Sequence, residues 1–102
     1  MSEHSIVFDY LGGLAPAQAE GTVAGRPFYF RSRYEHWTFS VSEHDEVSPV
    51  EIDSVESGKA HGFFRQGQYG TKPFEASYMP EKEARRIIAA CAEEYLRERQ
   101  AA

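Results

Sequence analysis

The chain has 102 residues, a length that supports one hydrophobic core and is too short for two. Hydrophobic residues make up 41% of it and aromatic residues 14%, which argues against an intrinsically disordered protein because disordered chains contain few rings. Its 11 basic and 16 acidic residues give a net charge of −5, and its single cysteine excludes an intrachain disulfide. No stretch resembles a signal peptide or a membrane span. We therefore expect one domain over residues 1–102, located in the cytoplasm and without a membrane partner.

Alternating side chains predict four strands in the first half of the chain. The first runs from Ile6 to Tyr10 and is closed by the glycines of LGGLAP, and QAEGTV forms the second. AGRP is then a turn, because Gly25 can adopt a positive φ and Pro27 suits the start of a strand. FYFRSR and WTFSVS follow as strands three and four, so residues 22–41 are predicted to form a three-stranded meander.

The segment of residues 43–59 is polar and acidic, and its pattern leaves two alternatives. It forms either an ordered acidic loop or, through the alternation in VEIDSV, an edge strand. GFFRQGQYG is predicted to form a further strand, with Gly67 at a bulge or a tight turn. PFEASYM either extends the sheet or leads into the next element.

The C-terminal segment, about residues 80–99, is predicted to form an amphipathic helix. Pro80 fits the first helical position, and acids near the beginning and arginines near the end match the helix dipole. Seven side chains recur at helical spacing as one apolar stripe: Ala84, Ile87, Ile88, Cys91, Ala92, Tyr95 and Leu96.

That stripe must pack on another element, and the sheet is the one of suitable size. We therefore predict the α+β class, with an antiparallel sheet of four to five strands and one C-terminal helix packed on one face. The period of two in strands three and four then separates two sets of side chains. The set expected beneath the helix is Phe28, Phe30, Trp37, Phe39 and Val41.

The other set, Tyr29, Arg31 and Arg33, is expected on the opposite face of the sheet. It is either a solvated surface or part of a binding site, since tyrosine and arginine are enriched at binding hot spots. The alternation in GRPFYF is partly similar to the RNA-binding strand of the RNA-recognition motif, in which exposed rings stack on bases. The segment lacks the small residues of that motif, only one convincing helix is predicted, and the net charge is negative. We therefore predict no direct nucleic-acid binding.

Catalytic and metal-binding patterns are weak. The four histidines are far apart, and no HExxH, CxxC or GxSxG spacing is present. EHDE at residues 43–46 has ligands for a divalent ion, but such a run is more often a hydrated loop. Cys91 lies in the apolar stripe, which favours a buried cysteine over a catalytic nucleophile. The glycines of residues 62–70 do not have the spacing of a phosphate-binding loop and are better explained by hairpin turns. We expect no enzyme activity, no metal and no cofactor.

The acidic residues are concentrated in one window. Between Glu35 and Gly58 there are seven acids and no lysine or arginine, so this window carries −7 and the rest of the chain +2. In an extended segment, acids two positions apart would lie about 6 to 7 Å from each other, a spacing that can imitate a nucleic-acid backbone. Such a surface repels phosphates and attracts basic partners.

We therefore predict a small acidic protein-binding module whose partner has a basic surface. The specific hypothesis is an inhibitor of nucleic-acid-handling machinery, of the anti-CRISPR or anti-restriction type encoded by phages and mobile elements. The predicted partner-binding residues are Glu43, Asp45, Glu46, Glu51, Asp53, Glu56, Tyr29, Arg31 and Arg33.

Two alternatives remain open at this point. One is a homodimer formed through the second sheet face or an edge strand. The other is a small-molecule-binding or enzymatic domain that recognises a carboxylate or phosphate ligand. Its polar contacts would come from Tyr29, Arg31, Arg33, His36 or His61.

Overall fold

A computed structural model describes residues 6–12, 17–33, 35–69 and 79–101 of the protein. Its five strands form one antiparallel sheet in which every strand pairs with its neighbours in sequence, so the whole sheet is a meander. A long helix ends the chain, and a short one precedes the fifth strand. The predicted α+β fold, with an antiparallel sheet and a C-terminal helix, is confirmed. Neither helix in the described ranges is long and apolar enough to cross a membrane.

The elements are β1 (Ile6–Gly12), β2 (Ala17–Val23), β3 (Arg26–Arg33), β4 (His36–Ser42), a 3₁₀ turn (Pro49–Glu51), α1 (Val55–His61), β5 (Gly62–Gln68) and α2 (Glu81–Ala101). The segment PFEASYM, for which the sequence left two alternatives, lies almost wholly outside the described residues.

The turn between β2 and β3 consists of Ala24 and Gly25, which have φ angles of 51° and 83°. Two successive positive φ angles are characteristic of a type I′ turn, whose twist matches that of the flanking strands. The positive φ expected at Gly25 is confirmed. Because the turn needs only two residues, β3 begins at Arg26, and Pro27 lies inside the strand opposite Thr22.

One face of the sheet packs against α2 and is called the helix face. The side chains of Phe28, Phe30, Phe39 and Val41 on this face are completely or almost completely buried. The Phe39 ring stacks on Phe28 with 5.6 Å between ring centroids and meets Phe63 edge-on at 6.2 Å. All seven residues of the predicted apolar stripe belong to this core or pack against it. The predicted core beneath the helix is therefore confirmed.

Trp37 also packs on this core, where its ring lies 6.3 Å from that of Phe30. Its indole covers Gly67, where a Cβ would come within 2.5 Å of the ring. The pairing of β4 with β5 continues without a shift through Trp37 and Gly67. The predicted bulge or tight turn at Gly67 is thus wrong, because this glycine makes room for a ring within a regular strand.

The helix α2 begins one residue later than expected. The carbonyl of Pro80 accepts hydrogen bonds from the amides of Glu83 and Ala84, both at 3.0 Å. Pro80 is therefore the cap residue before the helix rather than its first helical residue. Two i, i+4 ion pairs lie on the exposed side of the helix, Glu81 with Arg85 at 3.0 Å and Glu93 with Arg97 at 3.8 Å.

The opposite face of the sheet, called the outer face, is covered in part. The chain between β4 and β5 folds back over it and packs on β3, β4 and β5 through the 3₁₀ turn and α1. Residues 43–59 therefore do not form an edge strand. They form an ordered segment, as the other alternative supposed, but one that contains helical turns. This second layer over the sheet was not predicted.

Candidate functional site

Serine caps hold the two short helical turns of the second layer. Around the 3₁₀ turn, Ser48 Oγ accepts from the amide of Val50 at 3.3 Å, while Glu51 Oε2 accepts from the amide of Ser48 at 3.4 Å. At α1, Ser54 Oγ accepts from the amide of Ser57 at 3.1 Å, and Ser57 Oγ accepts from that of Ser54 at 3.0 Å. These are reciprocal capping boxes, which satisfy the unpaired amides at the start of a helix.

The underside of this layer is held by buried groups on the sheet. Ser40 Oγ donates to the carbonyl of Pro49 at 2.6 Å, and the Ser40 side chain is 2% exposed. Ile52, with 2% exposure, is the one large apolar side chain of residues 43–61 that is almost completely buried. At Gly58, a Cβ would lie only 2.6 Å from Cβ of Phe64, so α1 approaches the sheet more closely than any other residue would allow.

A buried serine also closes the turn that follows β4. Ser42 Oγ lies 2.8 Å from the carbonyl oxygen of His44 and 2.6 Å from that of Val47, and it accepts from the amide of His44 at 3.2 Å. This hydroxyl adds to the hydrogen bond within the turn, which the amide of Val47 donates to the carbonyl of His44 at 3.0 Å. The turn carries Asp45 and Glu46, whose positions are thereby fixed relative to the sheet.

Glu43 is the most constrained of the predicted partner-binding residues. Its Oε2 accepts a short hydrogen bond from the Tyr95 hydroxyl and lies 3.8 Å from Arg99 Nε, while its Oε1 lies 3.9 Å from Arg26 Nε. Burial and the hydrogen bond to Glu43 raise the pKa of Tyr95 above its ordinary value. Glu43 therefore links β3, β4 and α2, and a partner would have to compete for both of its oxygens.

Asp45 forms an ion pair with Arg26 at 3.2 Å, but its side chain is 97% exposed. A pair in that environment is screened by solvent and contributes little to stability. Glu46, Asp53 and Glu56 are exposed and make no ion pair with a described lysine or arginine. The acidic segment thus keeps unneutralised charge on its outer surface.

Two valines lie among these acids. Val50, in the 3₁₀ turn, and Val55, at the start of α1, each have 54% of their surface exposed. The exposed side chains of this part of the second layer form what we call the acidic ridge, defined as Val50, Glu51, Asp53, Val55 and Glu56. The extended spacing assumed for Glu51 and Asp53 does not apply, because Glu51 lies in a helical turn.

Tyr29, Arg31 and Arg33 lie on the outer face, as predicted from their alternation. Tyr29 pairs with Ser40, which lies beneath the 3₁₀ turn, so this part of the face borders the second layer. Tyr29 and Arg31 are half-buried and Arg33 is exposed, so two of the three side chains are not freely solvated.

The five residues of the anionic-ligand alternative are only partly brought together. His36 pairs with Arg33 and Gln68, whereas His61 immediately precedes Gly62, the partner of Ser42 at the other end of β4. The two ends of β4 are six residue steps apart, or about 20 Å. His61 instead lies beside His44, with 6.2 Å between ring centroids.

The surface depressions described in the structure are lined by residues of α2, alone or together with β1, β5 or Glu43. None of these depressions is lined by Tyr29, Arg31, Arg33 or His36.

Cys91 lies on the core-facing side of α2. Burial raises its pKa to about 12, with a further contribution from Glu94, so the thiol remains protonated at neutral pH. A protonated, buried thiol is a poor nucleophile. Among the described residues, no three histidine, cysteine or carboxylate side chains are arranged to hold a metal ion, and EHDE forms no such group.

The signal for the second layer is present in the sequence. SPVE and SVES, at residues 48–51 and 54–57, have the spacing of capping boxes, and the first also has a proline in the first turn. The side chains that fix Glu43, in contrast, come from distant parts of the chain and have no local signal. Comparisons of this chain with protein-family models, with curated proteins and with solved structures found no match.

Proposed function

We propose that the protein is a binding module that presents the acidic ridge to a basic surface of a protein partner. The observation that carries this proposal is the exposure of Val50 and Val55 between carboxylates that no described lysine or arginine neutralises. An apolar centre within a polar rim is the usual anatomy of a protein interface. Desolvation of the valines would supply affinity, and the carboxylates would supply orientation and specificity.

The rigid support of the ridge favours the same function. Capping boxes fix both helical turns, and the layer is fixed on the sheet by the hydrogen bond from Ser40 to Pro49 and by the close approach of Gly58 to Phe64. A surface that is ordered before binding loses little conformational entropy when the partner docks. The exposed acids would accelerate encounter with a basic partner in a manner that salt weakens.

In its specific form, the proposal is an inhibitor of nucleic-acid-handling machinery. Its support is the sign of the charge: a ridge of carboxylates competes with phosphates for the same lysines and arginines. A competition experiment tests the inhibitor hypothesis separately. An added nucleic acid should displace the protein from a nucleic-acid-binding partner, but it should not displace the protein from a partner that does not bind nucleic acid.

We expect Glu51→Gln/Asp53→Asn to weaken partner binding at least about tenfold, or about 1.4 kcal/mol. The melting temperature should change little, because exposed charges contribute little to stability and glutamine retains the capping acceptor of Glu51. The measurement is capture of proteins from extracts of the source organism and from phage-defence complexes. The capture is carried out at about 50 mM and about 300 mM NaCl, because salt screens the attraction between charges. Titration of the captured protein then gives its affinity for the wild type and for the variant.

The matched control is Glu81→Gln/Glu93→Gln, which removes the same charge from exposed positions on α2. It should bind as the wild type does. A partner whose affinity is lowered equally by both double variants would respond to net charge alone and would contradict a role of the ridge. A partner that neither variant affects would contradict it as well.

A further inference from the structure

Arg31 differs from most arginines of the described chain in having no ion-pair partner. Its guanidinium stands on the outer face at the middle of the sheet, the side chain is half-buried, and Nε is buried without a hydrogen bond. An unpaired buried donor costs free energy, and arginine has five N–H donors to satisfy. Each of the following arginines pairs with at least one carboxylate: Arg26, Arg65, Arg85, Arg86, Arg97 and Arg99.

The neighbours of Arg31 across the strands are neutral hydrogen-bonding groups. Arg31 pairs with Gln18 on β2 and with Thr38 on β4, and Thr38 pairs in turn with Gln66 on β5. Directly opposite side chains in an antiparallel sheet lie about 5 Å apart. A row of two amides, a hydroxyl and a guanidinium therefore crosses four strands, and it contains no carboxylate.

Charged residues lie on both sides of this row. Arg33 lies two residues further along β3 on the same face, about 6 to 7 Å away. Along the paired strands the closest carboxylates are Glu20, which pairs with Tyr29, and Glu35, in the turn before β4. Neither makes an ion pair with Arg31. The row itself thus carries one positive charge, that of Arg31, and no negative charge.

We infer that Arg31 anchors an anion-binding site that takes an oxyanion group, a carboxylate or a phosphate. The planar guanidinium matches two oxygens of such a group at once, which a lysine does not. Gln18, Thr38 and Gln66 supply neutral donors around it. This site goes beyond the proposed function, because its ligand is opposite in charge to the surface that the acidic ridge would bind.

The experiment is a titration of the ¹⁵N-labelled protein with inorganic phosphate and, separately, with citrate, followed by NMR. Sodium chloride at matched ionic strength gives the baseline. We expect saturable shifts in the millimolar range, centred on the amides of Gln18, Arg31, Thr38 and Gln66. The stronger of the two responses identifies whether phosphate or carboxylate is the preferred group.

Arg31→Gln should lower the affinity for the preferred anion at least about tenfold. It removes both the positive charge and the guanidinium fork, the paired N–H groups that contact two oxygens at once. Arg31→Lys keeps the charge and should bind several-fold more weakly than the wild type. Arg97→Gln, which removes an arginine that is 72% exposed on α2, should bind like the wild type. Amide spectra of the variants without anion verify that the sheet is intact.

Shifts that sodium chloride reproduces, or equal responses of the wild type and Arg31→Gln, would overturn the site. Equal affinity of Arg31→Lys and the wild type would overturn recognition by the guanidinium fork. If Arg31→Gln does not fold, Arg31→Lys is compared with Arg97→Gln. Weaker anion binding by Arg31→Lys than by Arg97→Gln would support the site, and equal binding would overturn it.

Discussion

Phe39→Ala is expected to lower the free energy of unfolding by about 3 to 5 kcal/mol. The side chain has no exposed surface, it lies on a central part of the sheet, and its ring contacts those of Phe28 and Phe63. Removing it leaves a cavity between β4 and α2 that rigid neighbouring rings cannot fill. Because domains of this size are stable by only about 5 to 15 kcal/mol, a large share of the stability would be lost.

Urea denaturation followed by circular dichroism measures this change. Val7→Ala is the matched control, because Val7 lies on the edge strand β1 and is 55% exposed. It should change the free energy of unfolding by less than about 0.5 kcal/mol. A loss below about 1 kcal/mol for Phe39→Ala would contradict the packing described for the helix face.

The second large effect is expected from Gly58→Val, which should cost about 2 to 3 kcal/mol and displace α1 from the sheet. The new Cβ would lie 2.6 Å from Cβ of Phe64 and 3.1 Å from its amide nitrogen. The strand backbone cannot move away without breaking its pairing with β4, so the helix must move. The sheet and α2 should remain folded, whereas the acidic ridge should lose its fixed position and its partner binding.

Ala60→Val on the same helix is the control. Ala60 is exposed, so the added methyl groups meet no neighbour and only the lower helix propensity of valine is expected, about 0.5 kcal/mol. Amide spectra and thermal melting measure both variants. Similar behaviour of the two would mean that α1 does not depend on its close contact with the sheet.

The sheet and the long helix could be predicted from sequence because their periodicity and their burial agree. In β3, Phe28 and Phe30 alternate with Tyr29 and Arg31, and the structure buries the first pair more completely than the second. The apolar stripe of α2 likewise predicts how the helix packs, since every residue of the stripe belongs to the core or packs against it. Where one face of a strand or helix is buried and the other is exposed, apolar and polar residues alternate in the sequence with the period of that element.

The second layer could not be predicted in the same way because it buries very little apolar surface. Ile52 is its one large buried side chain, and Val50 and Val55, which suggested a strand, are exposed. The layer is held instead by serine hydroxyls and by the absence of a side chain at Gly58. Local capping therefore outweighs the alternation in VEIDSV, and a period-two pattern alone is a weak guide in so short a segment.

For the candidate site, sequence located the acidic charge but not its internal pairing. Glu43 is separated from Tyr95 by 52 residues, and its contacts with Arg26 and Arg99 depend on how β3 and α2 are placed. The same holds for Arg31, whose lack of a partner depends on the register of four strands. Tertiary placement decides which charges are available to a partner.

Native-state hydrogen exchange tests most directly whether the acidic ridge is an ordered layer in the free protein, as its proposed function requires. The informative amides are those of Ile52, which donates to Pro49, and of Gly58, which donates to Ser54. We predict exchange at least about a hundredfold slower than in an unstructured peptide at both positions. Exchange at the unstructured rate, with β4 still protected, would contradict an ordered ridge in the free protein and would mean that the ridge forms only on binding.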